Sequence, residues 1–83
     1  MPSGEGLEWV SGVVRPDGPV KFHVHPGPHV LTPTRPITVT SKNRGRFMLD
    51  EGEPLLVLPH EEHELSIEFG EARYSCVGFV GKI

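Results

Sequence analysis

The sequence predicts an all-β fold, a small single-domain β-sandwich or barrel of jelly-roll type with about seven short strands, and three observations carry that prediction. No segment of helical period runs for ~11 residues, the mean helix length, without meeting a glycine or proline. Several short stretches alternate instead: Val20, Phe22 and Val24 against Lys21, His23 and His25; Ile37 and Val39 against Thr38 and Thr40; His63, Leu65, Ile67 and Phe69 against Glu64, Ser66 and Glu68. Alternation at period two belongs to strands with one buried face. Turn signals separate these stretches at intervals of roughly 8 to 12 residues, the spacing of small sandwiches and barrels.

Taken in order, residues 7–14 are the first strand, with Leu7, Trp9 and Val13 of one parity. It ends at Arg15-Pro-Asp-Gly18, where proline presets the second turn position and glycine accepts the backbone that leaves the turn. Residues 19–25 form the next strand, broken by Pro26 and Pro28. Residues 37–42 turn Ile37 and Val39 inward, Asn43-Arg-Gly45 turns the chain, and 46–50 put Phe47 and Leu49 on one face. Residues 55–58 are apolar on both sides, the mark of a central strand. Residues 63–69 and 73–81 complete the series, the last through Tyr74, Cys76, Val77, Phe79 and Val80. No internal repeat and no second domain is visible, so 1–83 is read as one β domain.

A chain of 83 residues has room for one hydrophobic core, and ten glycines and nine prolines keep that core small. Domains of this size gain stability from disulfides, a structural metal or association. Cys76 stands alone, so no intrachain disulfide forms, and a lone thiol fits a reducing compartment: the cytoplasm, or a particle assembled inside a cell. The first residues carry neither a basic segment nor an apolar run, so no secretory signal peptide is expected. No apolar run reaches the roughly 18 residues of a membrane helix. A net charge of -3 gives no general attraction to nucleic acid or to anionic membranes.

Residues 26–36 read as a stiff, extended arm or sheet edge, because Pro26, Pro28, Pro33 and Pro36 cannot donate to a ladder. Such an arm loses little entropy on docking. Pro28, Thr32, Pro33, Thr34, Arg35 and Pro36 would contact a partner, together with the basic turn of Lys42, Arg44 and Arg46, while eight of the eleven acids lie between Asp50 and Glu71. Opposite charge on two regions of one chain suits head-to-tail association. The residues by themselves therefore predict a non-catalytic structural or interaction module that oligomerises or docks on a larger assembly, such as the decoration protein of a virion shell. That reading needs no cofactor.

The second cluster of chemistry is histidine. His23, His25 and His29 form an H-x-H-x3-H run, and His60 and His63 follow a short apolar strand. Imidazoles on neighbouring strands suit zinc, iron, manganese or nickel. Here the chain resembles the cupin superfamily, small β-barrels whose first motif is G-x5-H-x-H-x3-4-E-x6-G and whose second is G-x5-P-x-G-x2-H-x3-N. Gly18, His23 and His25 look like the first, with His29 at the place of the glutamate; Gly52, Pro59 and His63 look like the second.

The departures from the motifs are specific. Gly18 is one residue too close to His23, no glycine closes the first motif, the inner glycine of the second is missing, and Pro59 stands four residues before His63 where the motif has five. Parity also sets His23 and His25 opposite Val20, Phe22 and Val24, so that only His63 shares a face with the core. What the resemblance implies is a barrel holding one divalent transition metal through His23, His25, His29 and His63, and a possible small-molecule enzyme. The residues themselves show no nucleophile elbow and no phosphate-cradling loop, Cys76 lies in an apolar strand, and the glutamates 61, 62 and 64 read as solvated turn residues, so no catalytic residue is assigned.

Overall fold

Eight strands form among the residues that the computed structural model describes, 7–24 and 27–79: β1 (Leu7–Val14), β2 (Val20–His23), β3 (His29–Pro33), β4 (Ile37–Ser41), β5 (Gly45–Leu49), β6 (Leu55–Val57), β7 (His63–Ser66) and β8 (Ala72–Phe79). They build two four-stranded antiparallel sheets, in the orders β1-β8-β3-β6 and β2-β7-β4-β5. Consecutive strands repeatedly cross from one sheet to the other, as in a jelly roll. The all-β expectation holds.

The core lies between the sheets. Val14, Leu31, Val57, Ala72 and Cys76 reach it from the first sheet, and Ile37, Val39, Leu49 and Leu65 from the second. Alternation fixes this for β4 and β7, whose inward residues are the expected ones. The turns follow their chemistry too. Arg15 and Gly18 exchange backbone hydrogen bonds of 3.3 and 3.0 Å, and Gly45 takes φ +82° at the tip between β4 and β5, where a side chain would be strained.

Three expectations are corrected. Residues 29–33 are an internal strand between β8 and β6, not an arm or an edge. The prolines bracket the ladder instead of interrupting it: Pro28 precedes β3, Pro36 follows it, and Pro33 closes it, buried opposite Tyr74. Val30, Leu31 and Thr32 remain free to donate. Conversely, the apolar run 55–58 is not central: β6 is three residues long and lies at a sheet edge among the described residues, with Leu56 and Leu58 exposed. β1 turns its even residues inward, which leaves Trp9 74% exposed and Val14 fully buried.

The third correction is to the parity of β2. Val20 pairs with Leu65 and His23 with His63, so three steps on β2 match two on β7. This register shift lets residues of opposite parity, Val20 and His23, share the inner side, while Phe22 is exposed. One extra residue rotates His23 from the solvent face to the barrel interior.

A second irregularity precedes β7. His60 has φ +62°, the only positive φ of a non-glycine residue among those described, and it lies three residues before His63, where the second cupin motif carries glycine. The Glu61 amide closes the turn onto the Leu58 carbonyl at 3.1 Å. A left-handed backbone costs an L residue about 1–2 kcal/mol, part of which glycine returns in unfolded-state entropy. His60→Gly is therefore expected to raise the unfolding free energy by up to about 1 kcal/mol, measured by denaturant titration. A lower value would mean that the imidazole makes compensating contacts.

Candidate functional site

The register shift brings His23 and His63 face to face in neighbouring strands, with ring centroids 4.2 Å apart and planes tilted by 58°. Both rings line a cavity of about 100 Å³ between the sheets, walled by Val10, Leu31, Val57 and Leu65 and completed by Tyr74 and Cys76. His63 is buried and His23 half-buried.

Each imidazole is oriented by the backbone two residues upstream. His23 Nδ1 donates to the Lys21 carbonyl at 2.7 Å, His63 Nδ1 to the Glu61 carbonyl at 2.8 Å, and His29 Nδ1 to the Gly27 carbonyl at 2.9 Å. A carbonyl only accepts, so the proton sits on Nδ1 and the lone pair of the neutral ring on Nε2. Burial is the main reason that the pKa of His63 is lowered; the bond to the Glu61 carbonyl opposes it and the neighbouring His23 adds to it. A neutral, Nδ1-protonated imidazole is the form in which histidine ligates metals, and a backbone carbonyl is a common orienting partner for one.

The other expected ligands stand differently. His29 is buried on β3 against Gly78, with Nε2 3.9 Å from a Glu8 carboxylate oxygen. His25 lies outside the described residues. Among the described residues, no three His, Cys, Asp or Glu side chains converge closely enough to hold a metal ion. The donor type and tautomer are compatible with a metal, and of the four expected ligands the described residues bring two imidazoles together, His23 and His63. Cys76 is buried, and burial raises the pKa of its thiol, as it raises that of Tyr74.

Glu61 is the residue that the sequence reading missed. It was expected to be a solvated turn residue, yet it is 1% exposed. Its carboxylate accepts from Ser41 Oγ at 2.6 Å, Arg44 Nε at 2.6 Å, Arg44 Nη2 at 2.9 Å and the Leu58 amide at 2.9 Å. Burial by itself would raise its pKa; the bonds from Arg44, Ser41 and Leu58 overcome that and hold it at about 2. The one available signal was an acid seventeen residues after an arginine in a turn, which spacing alone does not connect.

The predicted contact residues are scattered. Pro33 is buried and is not a surface contact, whereas Arg44 is exposed with its guanidinium bound to Glu61 and to the Leu56 carbonyl. Thr34 is tied to Arg73 by its amide and its hydroxyl. Lys42 pairs with Glu62 at 3.4 Å and lies 5.0 Å from the centre of the Phe22 ring. Pro28, Arg35, Pro36 and Arg46 are exposed and Thr32 is half-buried.

No family model and no curated protein matches the sequence. Solved structures do. A double-stranded β-helix protein from Klebsiella pneumoniae matches with a TM-score of 0.81 and 18% identity, over 99% of this chain and 73% of its own. An RmlC-like cupin from Shewanella frigidimarina matches with a TM-score of 0.75 and 16% identity, over 92% of this chain and 68% of its own. The fold is that of the cupins. Iron(II) HppE matches this cupin barrel with a TM-score of 0.73 and 25% identity over 88% of it. In two of the matches the chain spans only 38% and 42% of the solved chain, so those proteins contain much that is not represented here. Within the cupin frame, His23 and His63 occupy the two barrel strands where the sequence resemblance put the first and second motifs.

The Glu61 network makes a pH-dependent contribution to stability with a definite sign. Its carboxyl is depressed from 4.5 to about 2, so the contribution is complete above the unfolded value and is lost as pH falls through the folded one. Across that window the protein should lose on the order of 3 kcal/mol more than Glu61→Gln, read from urea unfolding at a series of pH values. Parallel pH curves for the two proteins would contradict it.

Proposed function

We propose that this barrel binds one divalent transition metal between its sheets, with His23 and His63 as ligands and with His25, from the H-x-H spacing, as the candidate third ligand; His29, which does not converge with the pair, is left out of the set. The observation that carries this reading is the pair itself: two imidazoles 4.2 Å apart, each with its Nδ1 proton given to a carbonyl, at the wall of an interior cavity. The lowered pKa of His63 keeps a ligand available at neutral pH. The cupin fold favours this reading over a non-catalytic assembly module, one of whose expected contact residues, Pro33, is buried in the fold.

The substrate class that suits the site is a small molecule. A cavity of about 100 Å³ takes only a few heavy atoms, well below the roughly 300–1,000 Å³ of sites for drug-sized ligands. Val10, Leu31, Val57 and Leu65 would shed water from an apolar portion, and His23 and His63 supply polar groups in the same lining. A metal at the imidazoles would supply a Lewis acid for a bound oxygen atom. The reading is tested by titrating the metal-stripped protein with Zn²⁺ or Fe²⁺ and following uptake by native mass spectrometry. One ion per chain is expected, with affinity at least about tenfold weaker in His63→Ala. A protein that takes up no ion, or a variant that binds as well as the wild type, would sink the reading.

A further inference from the structure

A second cleft lies at the end of β7 that is remote from His63. The β4–β7 ladder closes with Thr38 opposite Ser66, and residues 67–70 then leave the sheet and turn at Gly70, where φ is +71°. The opening that results measures about 210 Å³ and, among the described residues, shares no lining residue with the histidine cavity.

Its walls are apolar. Met48 on β5, 60% exposed, and Phe69 just past β7, 79% exposed, flank a floor of Pro36 and Thr38. Thr38 Oγ1 donates to Met48 Sδ at 3.3 Å, which orients one of the walls. The charged groups of the lining are one of each sign, Arg35 and Glu68. Both are exposed, and among the described residues neither makes an ion pair with the other or with any third group. Arg35 is also positioned: a Cβ on Gly70 would lie 2.7 Å from its Nη1, so the bare backbone of the turn is what leaves room for the guanidinium.

We propose that this cleft binds a free α-amino acid with an apolar side chain, its carboxylate on Arg35, its ammonium on Glu68 and its side chain between Phe69 and Met48. A simple anion or cation would meet one like charge here, whereas a zwitterion meets two opposite ones. The guanidinium fork matches a carboxylate in shape, and an ammonium donates to the carboxylate of Glu68. The volume lies below the roughly 300 Å³ at which sites for drug-sized ligands begin, and it suits a molecule the size of leucine. Because the two ion pairs stay solvated, affinity is expected at about the millimolar level. Binding here requires neither a metal nor the histidine pair.

Amide-resolved NMR titration of the intact, metal-free protein with L-leucine tests it. Saturable shifts are expected at Arg35, Thr38, Met48, Glu68 and Phe69 and not at His63. Glycine, which keeps both charges and lacks the side chain, should bind more weakly, as should N-acetylleucine and leucinamide, each of which lacks one charge. Arg35→Gln and Glu68→Gln should each weaken leucine by about three- to fivefold with the circular dichroism unchanged. Glu68→Gln carries the test if the loss of Arg35 unsettles the turn. Arg46→Gln, exposed on β5 outside the cleft, should bind as the wild type does. Leucine that gives no saturable shift, or shifts centred elsewhere, overturns the proposal. So do blocked derivatives that bind as well as leucine, or a folded Glu68→Gln protein with unchanged affinity.

Discussion

Glu61 connects more of this molecule than any other side chain described. Its carboxylate gathers a donor from the end of β4, two from the turn between β4 and β5, and one from the segment that leaves β6, while its backbone carbonyl holds the imidazole of His63. A buried carboxylate is tolerable only when its acceptor capacity is filled, and here four donors fill it. The bonds that satisfy the charge also tie the edge of the first sheet to two elements of the second. The position of His63 is thus a by-product of an electrostatic necessity: once Glu61 is anchored, its carbonyl is fixed, and so is the ring bound to it.

The second determinant is the register shift in β2. Without it, alternation would turn His23 to solvent and Phe22 to the core. With it, His23 meets His63, at the cost of leaving the Phe22 ring exposed beneath Lys42. Bulges recur where a strand has to re-aim a side chain, and this one re-aims an imidazole into a cavity. The strained His60 belongs to the same pattern. A left-handed residue three positions before His63 sets the entry of β7, and the chain accepts it without glycine.

Much of the architecture was legible because it depends on local signals. The turn at 15–18, the inward Ile37 and Val39, the tip at Gly45 and the inward His63 and Leu65 all follow from period two and turn chemistry. The failures have a common cause, which is that they depend on register. Prolines at 28, 33 and 36 argue against a central strand only if one of them must donate, and the chain places its ladder between them. The exposure of Trp9 and the edge position of β6 are set by sheet order. At the site, the cupin resemblance put His23 and His63 together, while the parity of β2 argued against it; a single inserted residue brings the two rings face to face. The pairing of Arg44 with Glu61 joins residues seventeen apart in sequence, and nothing in the local pattern announces it.

The proposed metal site depends on how the two facing imidazoles are oriented, and long-range nitrogen–proton correlation NMR of uniformly labelled protein reads that directly. At neutral pH, His63 should appear as the Nδ1-protonated tautomer, with Nε2 unprotonated, and the ring nitrogens of both His23 and His63 should shift on addition of Zn²⁺. Nε2-protonated or charged rings that ignore added metal would contradict it: the carbonyls of Lys21 and Glu61 would not then be orienting ligands, and the pair would be packing alone.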